Sequence, residues 1–363
     1  VKLAAAEAIP YALPFREPYV TARGSLDRRE MVLLRLRSEE GLVGLGEAVP
    51  LSLRGGTALV TVVRELEALT ALEELSEADV EAAAPTLSAP ARCAALTALL
   101  DLRSRRSEDV RLSFPADSGR KDNRDAGEPG GVPCNATLVA GEPAAVAAEA
   151  ARWAADGFTT FKLKLGTGHD VEQVRAVREA VGPAARIRID ANTVWGVETA
   201  ATVLGEIEPF GIELAEQPVA NLAEMRALAG VTSIPLAADE SVESCEDAER
   251  AAALGACRFT GIKLSKVGGP EEAMAIADVL PAYVSSALDG PVGIAAAAQV
   301  ARTVAESEHP ERLDLAHGLA TQRLFAATIA AVECELRDGE LHPPEGPGLG
   351  IEIDEEALQA HRL

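Results

Sequence analysis

Six lysines are all this chain has, at Lys2, Lys121, Lys162, Lys164, Lys263 and Lys266, and four of them fall in two short apolar segments. In Phe161-Lys162-Leu163-Lys164-Leu165 the residues alternate as on a strand. Positions i and i+2 of a strand share a face, so both ammonium groups point one way while Phe161, Leu163 and Leu165 meet an apolar layer. Two adjacent ammonium groups repel, which is expected to lower the pKa of at least one. A lysine that loses its proton near neutral pH is a usable general base. An isolated Lys-X-Lys is more often a solvated edge strand. Here arginine supplies most of the surface cations, and lysine is kept where a titratable amine has a use.

Three carboxylates follow at the ends of later strand-like runs. Asp190 closes Arg186-Ile187-Arg188-Ile189-Asp190, Glu216 closes Glu213-Leu214-Ala215-Glu216, and Asp239 closes Leu236-Ala237-Ala238-Asp239. Lys263 stands in the next run, Gly261-Ile262-Lys263-Leu264-Ser265-Lys266. Each acid alone is more often a helix N-cap or an ion-pair partner. Ending neighbouring parallel strands in register, three anions would need a cation. Oxygen donors with no His or Cys beside them suit a hard ion, Mg²⁺, with Mn²⁺ as the alternative. Arg188 and Asn192 share the face of Asp190, and Glu240 follows Asp239, so these three are expected behind the ligands or against the substrate. The chemistry such a set can do is removal of the proton α to a carboxylate, with the metal and a second lysine stabilising the enediolate.

The elements that must position these groups begin at Val132. Strand-like runs start near Cys134, Thr160, Arg186, Ile212, Pro235, Thr260, Ala282 and Leu313. Ala-rich helical patterns lie between them, over 142–156, 171–181, 197–207, 222–229, 245–254, 271–279 and 294–307. Eight such units predict a modified, TIM-like (β/α)8 barrel, with its active site at the C-terminal ends of the strands. A doubly wound open sheet shows the same alternation but carries a glycine-rich phosphate loop after its first strand. Ala140-Gly141-Glu142-Pro143 is not one. In a barrel the second and sixth strands are opposite, so Lys164 and Lys263 would flank a bound substrate.

Before the barrel, residues 1–131 read as an α+β capping domain plus a polar linker. Met31–Arg37 and Leu42–Glu47 read as a hairpin, loops cover 14–25 and 50–56, helices follow over 57–106, and 107–131 is polar. Barrel residues span 132–321, and 322–363 is expected to return to the capping domain. The loops 16–25 and 50–56 should close over the site, with Arg23 and Arg54 as candidate anion contacts. A formal net charge of -23 over 363 residues argues against nucleic acid or an anionic membrane as partner. Five scattered cysteines without CxxC spacing read as reduced thiols of a cytoplasmic protein, and neither a signal-peptide layout nor a membrane-spanning run is evident.

Taken together, the KLK, the Asp of RIDAN, the Glu of AEQPV, the Asp of ADES and the first Lys of IKLSKVGG resemble, in order and spacing, the enolase superfamily and its muconate lactonizing enzyme subgroup. The resemblance covers nearly the whole chain. It implies Lys164 as base, tuned by Lys162, with Lys263 opposing, and Asp190, Glu216 and Asp239 on the metal; that chemistry is a known property of the superfamily. Within the subgroup, dipeptide epimerases carry a DxD at the end of strand eight to hold an ammonium group. This chain has Leu313-Asp314-Leu315-Ala316-His317-Gly318-Leu319-Ala320-Thr321 there, which is similar to the GLxT segment of o-succinylbenzoate synthases, as is Ser285-Ser286-Ala287-Leu288-Asp289. The resemblance therefore implies dehydration of a cyclohexadiene carboxylate, a step of menaquinone synthesis, with Ser285 or Ser286 on a substrate oxygen. An N-acylamino-acid racemase is the alternative, and a non-catalytic carboxylate-binding barrel a distant one. The partner is a small carboxylate; superfamily members often form homo-oligomers. The polar segment 107–131 and His317 depart from the pattern.

Overall fold

The computed structural model describes the chain except for residues 22–23, 52–54, 110–111, 113–129 and 306–314. The candidate contacts Arg23 and Arg54 lie outside the described residues, as do most of the polar segment 107–131 and the predicted start of strand eight at Leu313.

An antiparallel sheet opens the chain, in the order β1 (Leu3–Thr21), β2 (Gly24–Ser38), β3 (Val43–Ala48). The described part of the expected loop over 14–25 is instead strand, the end of β1 and the start of β2, paired with a register shift between Pro14 and Tyr19. A bulge on the edge strand absorbs the prolines there, since no ladder N–H is asked of them. Helices α1 (Leu59–Thr70), α2 (Glu77–Ala83) and α3 (Ala89–Ser107) follow. Alternation along β2 decides what each face meets. Val32, Leu34 and Leu36 pack with Val62, Leu66, Ala94 and Ala98 of the helices, while Met31 and Leu33 join the core shared with the barrel. A strand buried on both faces must be apolar throughout, which is why Met31-Val32-Leu33-Leu34 is.

The barrel is entered through β4 (Val132–Pro133). Then come β5 (Ala136–Leu138), α4 (Pro143–Ala155), β6 (Thr160–Lys164), α5 (Asp170–Val181), β7 (Arg186–Asp190), α6 (Val197–Ile207), β8 (Ile212–Glu216), α7 (Leu222–Ala229), β9 (Leu236–Ala238), α8 (Cys245–Leu254) and β10 (Phe259–Ile262). Last come the one-turn α9 (Leu264–Val267), α10 (Pro270–Val279), β11 (Ala282–Val284) and α11 (Pro291–Ala305). The seven strands β5 to β11 form one parallel sheet in sequence order. His317 and Gly318 close it. His317 bridges Cys134 and Gly318 bridges Ser285, both parallel, through His317 N–H to Pro133 O at 2.7 Å and Gly318 N–H to Val284 O at 2.8 Å. The eighth strand is thus two described residues long, and the sheet becomes a modified (β/α)8 barrel.

The tail carries β12 (Ala330–Val332), β13 (Glu335–Arg337), β14 (Glu340–His342), β15 (Glu352–Ile353) and α12 (Glu355–His361). It touches two bodies. β14 pairs with β4 at the barrel entry, while Phe325 and Arg362 bridge Phe15 and Tyr11 of β1.

Where β3 meets the barrel, a buried polar cluster joins the two. Glu47 accepts hydrogen bonds from the Tyr11 hydroxyl at 2.8 Å and the Gly290 N–H at 2.6 Å. Asp289 accepts from the Ser286 hydroxyl at 2.7 Å and the Ala287 N–H at 2.6 Å. Arg29 donates to the carbonyls of Pro50 and Ala287. Burial, and then the Asp289 charge, outweigh the hydrogen bonds and push the Glu47 carboxyl up to about 7. No helix among the described residues is long and apolar enough to cross a membrane, and the five cysteines are free thiols.

Candidate active site

Strand register assembles the site. Lys164 of β6 lies beside Asp190 of β7, which lies beside Glu216 of β8. One row of inward side chains therefore carries a lysine and two carboxylates. Asp239 follows β9 by one residue, and Lys263 follows β10 by one. All five are buried; the three acids are at most 1% exposed. The two lysines border a cavity of about 360 Å³, whose wall also includes Tyr19, Lys162, Ser285 and Thr321.

The ammonium groups lie on the carboxylates. Lys162 Nζ donates to Asp190 Oδ2 at 2.9 Å and Glu216 Oε2 at 2.5 Å. Lys164 Nζ donates to Asp190 Oδ2 at 2.6 Å and Asn192 Oδ1 at 2.9 Å. Lys263 Nζ donates to Asp239 Oδ2. This reverses the expectation that the lysine pair lowers its own pKa. Burial acts to lower Lys162, and burial and Lys162 act to lower Lys164, but Asp190 and its neighbours outweigh them and both lysines are raised. Repulsion between two cations is a smaller effect here than three buried anions. Asp190, between two lysines, is held well below the usual carboxylate range in spite of its burial. Glu216 is raised by burial and by Asp190.

Among the described residues no three acidic, His or Cys side chains stand together as a ready metal cage. The donor set nevertheless fits a hard divalent cation. It is oxygen only, it is buried, and the Lys162 ammonium already bridges two of its members, Asp190 and Glu216. Glu216 Oε1 is buried with no hydrogen-bond partner, and an unpaired buried carboxylate oxygen is costly unless a cation takes it.

The groups expected around the ligands divide. Asn192 adopts φ 48° and Thr193 φ 68°, a left-handed stretch uncommon outside glycine. That turn lets the Asn192 N–H donate to Asp190 Oδ1 at 3.0 Å and its amide donate to Glu240 Oε1 at 3.1 Å. Asn192 and Glu240 both reach the cavity wall. Arg188 does not. It is fully buried beneath the acids, paired with Glu213, donating to Ala316 O at 2.6 Å and lying 5.1 Å from the Tyr283 ring centroid. Its position two residues before Asp190 points it into the barrel interior, one layer below the cavity. Ser285 and Ser286 both face the cavity. The Ser286 hydroxyl is engaged by Asp289, donating to its carboxylate and accepting from its N–H at 2.8 Å. Ser285 fits against Gly318, where a Cβ would stand 2.6 Å from its hydroxyl oxygen.

Three residues of the site escape sequence reasoning. The sixth strand-like run extends to Lys266, but β10 stops at Ile262 and α9 begins at Leu264. Lys266, three residues after Lys263, turns back to the same side and donates to Asp239 Oδ1 at 3.0 Å. The scarcity of lysine is the available signal. Gln217, after Glu216, spans two strand ends by accepting from Asp239 N–H at 2.9 Å and donating to the Ser241 hydroxyl at 2.7 Å. The Tyr283 hydroxyl donates to Glu216 Oε2 at 2.5 Å. Its signal is weak: an aromatic two residues before Ser285 on the inward face. His317 is buried in the barrel seam, its Nδ1 accepting from Val284 N–H at 3.0 Å, and burial followed by Arg188 pushes it down to about 3.

Comparison with known proteins places the chain in a family. Residues 5–110 match the mandelate racemase / muconate lactonizing enzyme N-terminal domain and residues 145–357 the enolase C-terminal domain-like family. The chain is 36% identical to o-succinylbenzoate synthase of Thermobifida fusca over 62% of its own length and 69% of that protein's. It is 30% identical to a D-Ala-D/L-Ala epimerase of Cytophaga hutchinsonii, over 79% and 80% of the two chains. The crystal structure of muconate lactonizing enzyme from Pseudomonas fluorescens superimposes with a TM-score of 0.87 at 27% identity, covering 99% of each chain. With both halves of its architecture matched in this way, the chain belongs to the enolase superfamily, as an enzyme of the muconate lactonizing enzyme subgroup.

Proposed function

We propose that this enzyme is a Mg²⁺-dependent carbon–oxygen lyase of the o-succinylbenzoate synthase type, dehydrating a cyclohexadiene carboxylate to an aromatic succinylbenzoate. Asp190, Glu216 and Asp239 would hold the ion; a dipeptide epimerase structure similar to this chain is described with Mg. Bound there, Mg²⁺ would supply charge to offset the negative charge developing on a substrate carboxylate and would relieve the anionic field that holds Lys162 and Lys164 protonated.

This chain's residues do the rest. Lys164 takes the proton from the carbon next to the carboxylate, with Asn192 fixing its ammonium and Glu240 fixing Asn192. The electron pair left on that carbon forms the new double bond as hydroxide leaves its neighbour, and the proton and hydroxide depart as water. Lys263, opposite, places positive charge over the ring. Ser285 offers its hydroxyl to a substrate oxygen.

The observation that carries the reading is the wall formed by Ser285, Gly318 and Thr321. It offers hydroxyls and backbone, and no carboxylate stands among residues 315–321 to hold an ammonium group. Glu240 and Glu243, also in the wall, follow β9 instead. The relative from Thermobifida fusca supports the same reading. A second reading, N-acylamino-acid racemase, is favoured by one feature: lysines border the cavity from both β6 and the end of β10, as two-sided proton exchange requires.

The test is a spectrophotometric assay with Mg²⁺ and the cyclohexadiene precursor, beside N-succinyl amino acids in deuterated water. Aromatisation that disappears in Lys164→Ala supports the lyase. Deuterium exchange into the N-acyl substrates alone refutes it in favour of the racemase.

A further inference from the structure

We propose that Tyr283 is a positioning residue for the metal, fixing Glu216 so that one defined oxygen, Oε1, meets the cation. This rests on the metal reading above and extends it beneath the site. The Tyr283 hydroxyl and Lys162 both donate to Glu216 Oε2, each at 2.5 Å. Oε1 is left buried without a partner. A carboxylate with one oxygen saturated by donors and the other bare has a single site to offer.

Tyr283 is held so that it can do this. Its ring is 1% exposed and packs with Leu214, Ala237, Phe259 and Leu315 in the apolar layer inside the barrel. The Arg188 guanidinium lies 5.1 Å from the ring centroid and is itself tied to Glu213 and the Ala316 carbonyl. The phenol also crosses its neighbouring strand. Gly261 pairs with Tyr283 in the β10–β11 register, and a Cβ there would stand 3.1 Å from the Tyr283 hydroxyl oxygen. Glycine at 261 leaves the path open for the hydroxyl to reach Glu216. Outer partners that orient a ligand typically set metal affinity by 10–100-fold.

The test is calorimetric titration of Mg²⁺ into the metal-free enzyme, wild type against Tyr283→Phe, with Asp190→Asn as the control that removes a ligand. The expected result is a Kd about 10–100-fold weaker in Tyr283→Phe, with the melting temperature in EDTA close to that of wild type. Equal Kd values, with any loss confined to the melting temperature, would overturn the proposal and leave Tyr283 as packing alone. A wild type that binds no Mg²⁺ overturns the metal reading and the proposal with it. Should Tyr283→Phe not fold, fluorine NMR decides. The chain has three tyrosines, Tyr11, Tyr19 and Tyr283, so 3-fluorotyrosine labelling gives three resonances, assigned through Tyr11→Phe and Tyr19→Phe. The Tyr283 resonance shifts saturably with Mg²⁺ if its acceptor is a ligand; a resonance that stays fixed refutes the idea.

Discussion

Replacing Glu47 by glutamine isolates the electrostatics of the joint between the capping sheet and the barrel. The Glu47 carboxyl rises from an ordinary 4.5 to about 7, first through burial and then through Asp289. The native protein therefore binds more protons than the unfolded chain between these two values. Stability from this group is fully present below pH 4.5 and is lost as pH rises through about 7. A shift of that size is worth about 3 kcal/mol. The amide of the Glu47→Gln variant does not titrate, so the variant has no such dependence. It can keep its oxygen for the Gly290 N–H while its amide turns to the Tyr11 hydroxyl, whose proton has Met31 Sδ at 3.8 Å. The assay is urea unfolding of both proteins from about pH 4.5 to 8, the range that brackets the two pKa values. It is followed by circular dichroism and by the fluorescence of Trp153 and Trp195, with coincident transitions required before free energies are compared. The advantage of wild type over Glu47→Gln should fall by about 3 kcal/mol across that range. A difference that stays flat to within about 1 kcal/mol would show that Glu47 is charged throughout and that the burial argument is wrong.

On the acid side His317 contributes through its depressed pKa of about 3, a contribution present above 6.5 and lost as pH falls towards 3; His317→Asn, which keeps an acceptor for the Val284 N–H, should move the acid-unfolding midpoint to lower pH. Ser285→Ala should raise KM about fivefold, the worth of one neutral hydrogen bond, with little loss of melting temperature. Ser286→Ala should do the opposite, because its hydroxyl serves Asp289; steady-state kinetics and thermal melts on the pair separate the two. Lys164→Ala should lower kcat by roughly 10²–10⁴ while calorimetry still shows Mg²⁺ binding.

The barrel and its row of polar strand ends are legible in sequence because both obey short-range rules. A strand alternates with period two, so the parity that pairs Lys162 with Lys164 also aims Arg188 and Asp190. Helices such as 197–207, 222–229 and 245–254 declare themselves by periodic Leu and Ala and coincide with α6, α7 and α8. What stays hidden depends on contacts distant in sequence. The sign of the lysine shifts turns on acids 26 and 54 residues away. That Ser286 rather than Ser285 is engaged depends on a local turn at Asp289, which alternation alone does not describe. Parity places Arg188 on the correct face but not at its depth, since one strand does not report how many layers fill a barrel. The strand character of 14–21 is hidden because Pro14 and Pro18 read as loop residues, and only an edge position excuses them.

That edge has a consequence for how the chain is made. β1 pairs with β2 along one side only. Its other side is covered by bridges from Phe325 and Arg362 and by the N–H groups of Ala326 and Leu363, which reach the carbonyls of Pro14 and Pro10. Arg16 meets the Arg323 carbonyl across 307 residues of sequence. On the ribosome, where synthesis runs from the N-terminus, the longest of the described strands is therefore completed first and shielded last. For nearly the whole of translation a row of backbone donors and acceptors is open to any neighbouring nascent chain. Truncation before Phe325 should leave that exposure permanent, yielding inclusion bodies rather than a smaller soluble enzyme, even though every residue of the catalytic row would still be present.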